Sequence, residues 1–237
     1  MQDLTALPNV HLLMLDVTSP ASIAAAAKEV EAKTGGKLDV LINNAGVQYV
    51  MPALDLDIEK ARDVFEANYW GSLRMIQAFK GMLVKAEGTI VNVGSGAGIF
   101  YMPFQSQYNA SKAAINQYSE TLRMELAPLK VKVITLVAGN ITSNIVTNGA
   151  PPKQLPEDSF YKPIEKEIAK QEPFTSMSTS KFAGEVADEV LGGASGRLFK
   201  GTNSGIIKWL LPLLPQWVFD KLVLANGRGL GKMPVLS

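Results

Sequence analysis

Short apolar runs alternate with stretches of helical grammar along most of this chain, and that alternation restricts the fold more than any other feature. His11–Val17, Leu38–Asn43, Thr89–Val93 and Val131–Val137 are β-branched or leucine-rich and are bounded by polar residues or glycine. Continuous apolar runs of this length suit strands buried on both faces, as in a parallel sheet. Between the first two, Ser19-Pro20 offers an N-cap and an N1 proline, Ile23–Ala32 is rich in helix formers, and Gly35-Gly36 ends the segment. Asp57–Lys85 is long enough for one helix, or for two broken near Gly71, and Gln107–Ala127 reads as another, stopped by Pro128. Helical grammar resumes at Thr179–Leu191, and Arg197–Gly201 suits a last strand. This order predicts a doubly wound α/β fold with a mainly parallel sheet. Right-handed crossovers then place Asp57–Lys85 and Gln107–Ala127 on the same face.

Composition narrows the chemistry. A chain of 237 residues, 47% hydrophobic, can build one substantial core. The 23 Lys plus Arg nearly balance the 22 Asp plus Glu, which gives no case for a nucleic-acid partner. The chain has no cysteine, and His11, inside an apolar run, is its only histidine. Disulfides, thiolate or histidine-rich metal sites, a cysteine nucleophile and Ser-His-Asp catalysis are excluded together, and no metal is expected. His11 reads as a strand residue with a satisfied ring. The first residues, Met1 to Pro8, have neither the basic region nor the apolar core of a secretory signal, so an intracellular, cytoplasmic protein is expected.

Two segments break the rhythm. Pro151, Pro152, Pro156, Pro163 and Pro173 argue against a long helix across 149–180, although Glu157–Gln171 suits short helical turns. Such a segment is either a lid over a substrate or a surface excursion. The tail from Gly205 to Leu224 is too interrupted by Lys208, Pro212, Pro215, Asp220 and Lys221 to span a membrane. Trp209 and Trp217 with their flanking lysines suit peripheral contact with a membrane interface. Packing on the domain or across a dimer seam fits equally well, which leaves a homo-oligomer open.

Chemistry concentrates in Tyr108-Asn-Ala-Ser-Lys112. Residues i and i+4 of a helix share a face, so both side chains can reach one ligand. A nearby ammonium favours the phenolate and lowers a tyrosine's pKa, and such a tyrosine can pass a proton to or from a carbonyl oxygen. Ser95 ends the run Thr89–Val93-Gly and can hold the same oxygen, at the carboxyl edge where open α/β sheets bind ligands. Leu38–Asn43 leads into a small-residue turn where Ala45 and Gly46 would let a flat ligand approach the backbone. Taken singly, Asn43 could instead shape a turn, Asn68 kink its helix and Ser95 cap one.

Jointly these residues resemble the short-chain dehydrogenase/reductase family, from about Val10 to Gly201. The matching motifs are Asn43-Asn-Ala-Gly46 and the tetrad Asn68, Ser95, Tyr108 and Lys112. The resemblance implies a Rossmann-like fold and an NADP(H)-dependent oxidoreductase acting on a small-molecule carbonyl. Tyr108 would be the acid, Lys112 its tuner and ribose ligand, Ser95 the carbonyl holder, and Asn68 support for a water relay. Asp16 and Val17 match the adenine-contacting pair, and Asn43, Ala45 and Gly46 the cofactor-side turn. In Ala138-Gly139-Asn-Ile141-Thr-Ser143, Gly139, Ile141 and Ser143 match the cofactor motif after the sixth strand, with Ala138 and Ser143 replacing the usual proline and threonine. More narrowly, Leu15-Asp-Val-Thr-Ser, Thr34-Gly-Gly-Lys-Leu-Asp-Val-Leu and the Trp/Pro-rich tail resemble fungal NADPH-dependent 1-acyldihydroxyacetone-phosphate reductases. That likeness implies an acyl-lipid substrate and a place at the surface of the endoplasmic reticulum or of lipid droplets.

Family members begin with a strand, a glycine turn and a helix that binds the pyrophosphate. The sequence starts at what would be the third strand, so a truncated domain over 1–203, with an apolar tail over 204–237, is expected to lack the first β-α-β segment. Unless His11–Val17 slides across to pair with Leu38–Asn43, the sheet has a gap. Two readings follow: an incomplete version of a reductase, with weak dinucleotide binding as it stands, or a relative that folds without a dinucleotide and acts by binding or by Tyr/Lys acid–base chemistry.

Overall fold

The apolar runs at 89–93 and 131–137 become the two central strands of a four-stranded parallel sheet. In the computed structural model, which describes residue 4 and residues 7–170 and 175–234, β1 (Val40–Asn43), β2 (Thr89–Val93), β3 (Lys132–Ala138) and β4 (Gly196–Lys200) lie in that order. Val40 sits opposite Thr89, Thr89 opposite Lys132, and Ile134 opposite Gly196. Strand alternation sends Ile90 and Val133 to one face and Val91, Ile134 and Leu136 to the other, and both faces are buried. The first face receives α1 (Pro20–Thr34), α3 (Gly71–Ala86) and α4 (Ser106–Leu126) through Ile23, Met75, Phe79, Leu83 and Leu122. The opposite face is covered by Val186 and Val190 of α7 (Thr179–Leu191). Helices on both faces of a parallel sheet are the expected α/β arrangement, and α3 and α4 share a face as right-handed crossovers require.

Local chemistry sets the helix ends. The Ser19 hydroxyl accepts from the Ser22 amide, Pro20 occupies N1, and Gly35 closes α1 in the left-handed region at φ 64°. The segment at 57–86 is neither one regular helix nor two. α2 (Ile58–Phe65), capped by Asp57, runs through a π-helical turn at Glu66–Trp70 directly into α3. The extra residue of that turn shifts where Asn68 points, and π-turns of this kind concentrate at functional sites.

His11–Val17 does not become a strand. It runs as irregular chain with His11 exposed and with Leu12, Met14 and Leu15 exposed by 43%, 91% and 41%. Its end folds locally instead: Asp16 accepts from the Thr18 amide and hydroxyl, and Val17 lies against Gly71. An apolar run is a strand only when a neighbour supplies its backbone bonds and covers its side chains. Here the run pairs with no strand, the slide onto β1 does not occur although that edge is open, and His11 is not enclosed in a sheet. Among the described residues the outer edge of β1 is unpaired, with Ile42 half exposed.

The proline-rich stretch after β3 is packed. α5 (Asn144–Asn148), a 3-10 turn at Lys162–Ile164 and α6 (Glu165–Ala169) bring Leu155, Ile164 and Ile168 onto Val50 and Phe104 in a second small core. Ser159 donates to Asp55 at 2.6 Å, and the Lys162 ammonium to the Leu155 carbonyl at 2.9 Å. Gln171 and Pro173 of this stretch lie outside the described residues. Beyond β4 the tail turns at Ile206–Leu210 and forms α8 (Gln216–Asn226), whose Phe219 meets Tyr101 edge-on at 4.9 Å. Among the described residues no helix is long and apolar enough to cross a membrane.

Candidate active site

A crossover helix begins at the carboxyl edge of the sheet, and this brings the first turns of α4 beside the end of β2. Tyr108 and Lys112, one turn apart on that stretch, are 8% and 5% exposed. The Lys112 ammonium donates to the Val93 carbonyl at 2.8 Å, at the last residue of β2, and sits 5.9 Å from the centre of the Tyr108 ring. Two residues on, Ser95 is hydrogen-bonded to Tyr108, while its hydroxyl also accepts from the Ala97 amide at 3.1 Å and caps the short turn Gly96–Gly98. Bare backbone permits this approach: a Cβ on Gly98 would lie 2.5 Å from the Lys112 carbonyl oxygen, and one on Gly94 would overlap the Asn116 side chain.

Asn68 reaches the same place from the π-turn. Its amide oxygen accepts from the Val47 amide at 2.8 Å, and its nitrogen donates to the Val47 carbonyl and the Ser111 hydroxyl, both at 2.9 Å. It therefore ties the turn after β1 to α4. Gly46 lies inside that tie: a Cβ there would be 3.0 Å from the Asn68 oxygen and 3.7 Å from the Lys112 nitrogen. Asn68, Ser95, Tyr108, Lys112 and Gly46 thus converge at the carboxyl edge of β1 and β2.

Burial dominates the electrostatics. Desolvation pushes the Tyr108 phenol above its usual pKa, against a smaller opposing effect of the Ser95 hydrogen bond. The same burial pulls Lys112 down from 10.5 to about 8. The lowering of Tyr108 anticipated from its lysine neighbour is therefore reversed here, because the loss of water outweighs an ammonium aimed at a carbonyl. The result is a neutral phenol next to an ammonium that holds its proton less firmly than a solvated lysine. In that state Tyr108 is a proton donor.

The remaining expected positions lie around this centre. Val17, Asn43 and Ala45 line a cavity of about 150 Å³ together with Ala67 and Ser72. Asp16 is exposed, its carboxyl held below the usual range by bonds from the Thr18 side chain and amide. Gly139, Ile141 and Ser143 follow β3 at the same sheet edge: Gly139 abuts the Thr202 carbonyl, Ile141 bridges to Met177, and Ser143 is exposed before α5. Among the described residues there is no acidic or histidine cluster that could hold a metal.

Several residues of the site were not singled out from the sequence. Asn92, fully buried in β2, accepts from Asn43 at 2.8 Å and donates to Ser119 at 2.9 Å, which locks β1, β2 and α4 together. Asn116 donates to the Ser95 carbonyl at 3.1 Å, and Ser111 holds Asn68. An asparagine inside an otherwise β-branched strand was the available signal for the first. Ser111 and Asn116 carry none, because their partners come from elements distant in sequence.

A parallel α/β sheet with small-residue turns and a buried polar cluster at its carboxyl edge is the architecture of Rossmann-like oxidoreductases. The chain belongs to the short-chain dehydrogenase family, whose model (short chain dehydrogenase) matches residues 1–153. It is 38% identical over 230 residues to a short-chain dehydrogenase of Penicillium crustosum, covering 95% of this chain and 84% of that one. It is 39% identical over 213 residues to another from Penicillium ochrochloron, covering 88% and 78%. Among solved structures, a short chain dehydrogenase from Burkholderia cenocepacia in complex with NADP superposes with a TM-score of 0.71 at 28% identity, over 91% of this chain and 79% of that one. An NADPH-bound carbonyl reductase from chicken fatty liver gives 0.57 at 29% identity, over 61% and 65%.

Proposed function

We propose that this chain is an NADP(H)-dependent oxidoreductase that reduces a ketone to a secondary alcohol. The observation that carries the reading is the buried Tyr108 hydroxyl, hydrogen-bonded to Ser95 one helical turn from Lys112. Its NADP(H) requirement is supported by NADP-bound and NADPH-bound relatives of known structure. The residues present suit the ribose of such a ligand. The Lys112 ammonium has three hydrogens and, among the described residues, donates to the Val93 carbonyl, which leaves donors for ribose hydroxyls. Gly46 keeps the space beside it free of side chain. Tyr108 and Lys112 would hold the ribose, Asn43, Ala45 and Gly46 the turn beneath it, Asp16 and Val17 the adenine, and Gly139, Ile141 and Ser143 the carboxamide.

When bound, the dinucleotide supplies a hydride to the carbonyl carbon. The chain's own residues govern the oxygen. The Ser95 hydroxyl donates to the carbonyl oxygen and polarises it. The Tyr108 phenol gives that oxygen its proton, a role suited to a group that burial keeps neutral. Lys112 fixes the position of the phenol's surroundings, and Asn68 holds the turn at Val47 against α4, from which a water relay can be supported. The region 1–203 acts as the reductase domain, and the stretch 149–180 as its substrate-side lid.

An amphiphilic ketone such as 1-acyldihydroxyacetone phosphate, yielding the 1-acylglycerol phosphate, is the substrate class we favour. Phe100, Tyr101 and Ile207 place apolar surface beside the Ser95 turn, which suits an acyl chain. Consumption of NADPH should be followed with a panel of ketones of increasing acyl length. Tyr108→Phe should abolish turnover and leave the circular dichroism unchanged. Retained turnover removes Tyr108 from the mechanism, and indifference to acyl length removes the lipid substrate.

A further inference from the structure

The tail divides sharply into an inner and an outer side. Ile207 is buried and fills the space over Gly96, where a Cβ would lie 2.5 Å from its Cδ1 atom and 2.8 Å from the Phe100 ring. Phe219 packs on Phe100 and Tyr101, and the Tyr101 hydroxyl donates to Asp220. The outer side is apolar and uncovered. Ile206, Trp209, Leu210, Leu213, Trp217 and Leu224 are exposed by 48%, 68%, 50%, 79%, 63% and 46%. Large apolar groups gathered within one short segment mark a contact surface rather than ordinary solvent-facing side chains.

Charge indicates what covers it. Lys208 lies 4.6 Å over the Trp209 ring, and Lys221 lies 5.2 Å over Trp217, so each indole carries a cation at its face. From residue 204 to the end the chain has four basic residues (Lys208, Lys221, Arg228 and Lys232) and one acid, Asp220, which is engaged by Tyr101; Lys232 is 4.0 Å from Glu167 and Arg228 is half-buried, so Lys208 and Lys221 are the cations on the outer side. The rest of the chain is close to neutral, since the whole carries a net +1. Indoles paired with cations, prolines that prevent a spanning helix, and a local positive excess match the interface of a negatively charged bilayer. A second copy of this chain would instead bring Lys208 and Lys221 against their own counterparts.

We propose that Ile206–Leu224 docks this protein on the surface of an anionic phospholipid bilayer. The inner side of the same segment forms the wall next to Ser95, so docking sets the mouth of the site against the lipid, where an amphiphilic ketone resides. The docking does not depend on turnover, and the substrate reading does not depend on docking.

The test is sedimentation of the protein with vesicles of phosphatidylcholine alone or with about one-third phosphatidylserine. Wild type should pellet with the anionic vesicles and bind at least about tenfold more weakly to phosphatidylcholine alone, with binding lost at high salt. Trp209→Ser/Trp217→Ser and, separately, Lys208→Glu/Lys221→Glu should each lose it while retaining reduction of a short water-soluble ketone. In a Trp70→Phe background, the remaining indole fluorescence should shift to the blue only with anionic vesicles. Wild type left in the supernatant, or variants that pellet equally well, would overturn the proposal. So would a dimer in analytical ultracentrifugation that dissociates on the tryptophan substitutions, because that result assigns the face to a second copy.

Discussion

Replacing Lys112 with methionine separates what the residue does for chemistry from what it costs the fold. The residue is 5% exposed, and its ammonium donates to a carbonyl, not a carboxylate. A pKa drawn down from 10.5 to about 8 corresponds to roughly 3 kcal/mol at about 1.4 kcal/mol per pH unit, spent on keeping the charge buried at neutral pH. Methionine matches the stem in shape and removes the charge, while losing the bond to Val93 sacrifices about 1 kcal/mol. Lys112→Met should therefore stabilise the cofactor-free protein by about 2 kcal/mol at neutral pH, and raise its melting temperature by about 5 °C. The sign follows from proton counts. Between about pH 8 and 10.5 the unfolded chain binds more protons at this lysine than the folded one, so wild-type stability rises with pH across that window. The advantage of the variant should shrink in step and disappear by about pH 10.5. Urea denaturation of both proteins at neutral and alkaline pH measures this directly, and turnover should be lost in the same variant. A variant less stable than wild type at neutral pH, or a difference independent of pH, would refute the argument.

Two further substitutions probe the frame of the site. Gly98→Ala places a Cβ 2.5 Å from the backbone of Lys112, which cannot move without displacing α4, so a loss of about 1–3 kcal/mol is expected in denaturant titration; an unaffected midpoint would mean the turn relaxes freely. Asn92→Leu strands the buried Asn43 amide and removes the donor to Ser119, whose hydroxyl keeps its bond to the Ile115 carbonyl, and about 1–3 kcal/mol should be lost. If the double variant Asn43→Val/Asn92→Leu is no better than the sum of Asn43→Val and Asn92→Leu, the two amides are not coupled.

The central strands, the helices α1, α4 and α7 and the Ser95/Tyr108/Lys112 spacing were all legible in the sequence. Each rests on local information: burial on both faces makes a continuous apolar run, caps mark helix ends, and i, i+4 spacing fixes a shared face. His11–Val17 shows where such information stops. Its pattern is that of a strand, but strand formation is decided by whether a neighbour accepts its backbone bonds, and only the tertiary structure holds that fact. The π-turn at Asn68 is similar, since the side chain's bonds to Val47 and Ser111 span 21 and 43 residues. The proline-rich stretch lacked a helical or strand period, yet it folds over Val50 and Phe104 because those residues arrive from other elements to make a core. The direction of the Tyr108 and Lys112 shifts was also set by packing. Residue identity says that an ammonium and a phenol are one turn apart, whereas the amount of water each retains depends on everything that closes around them.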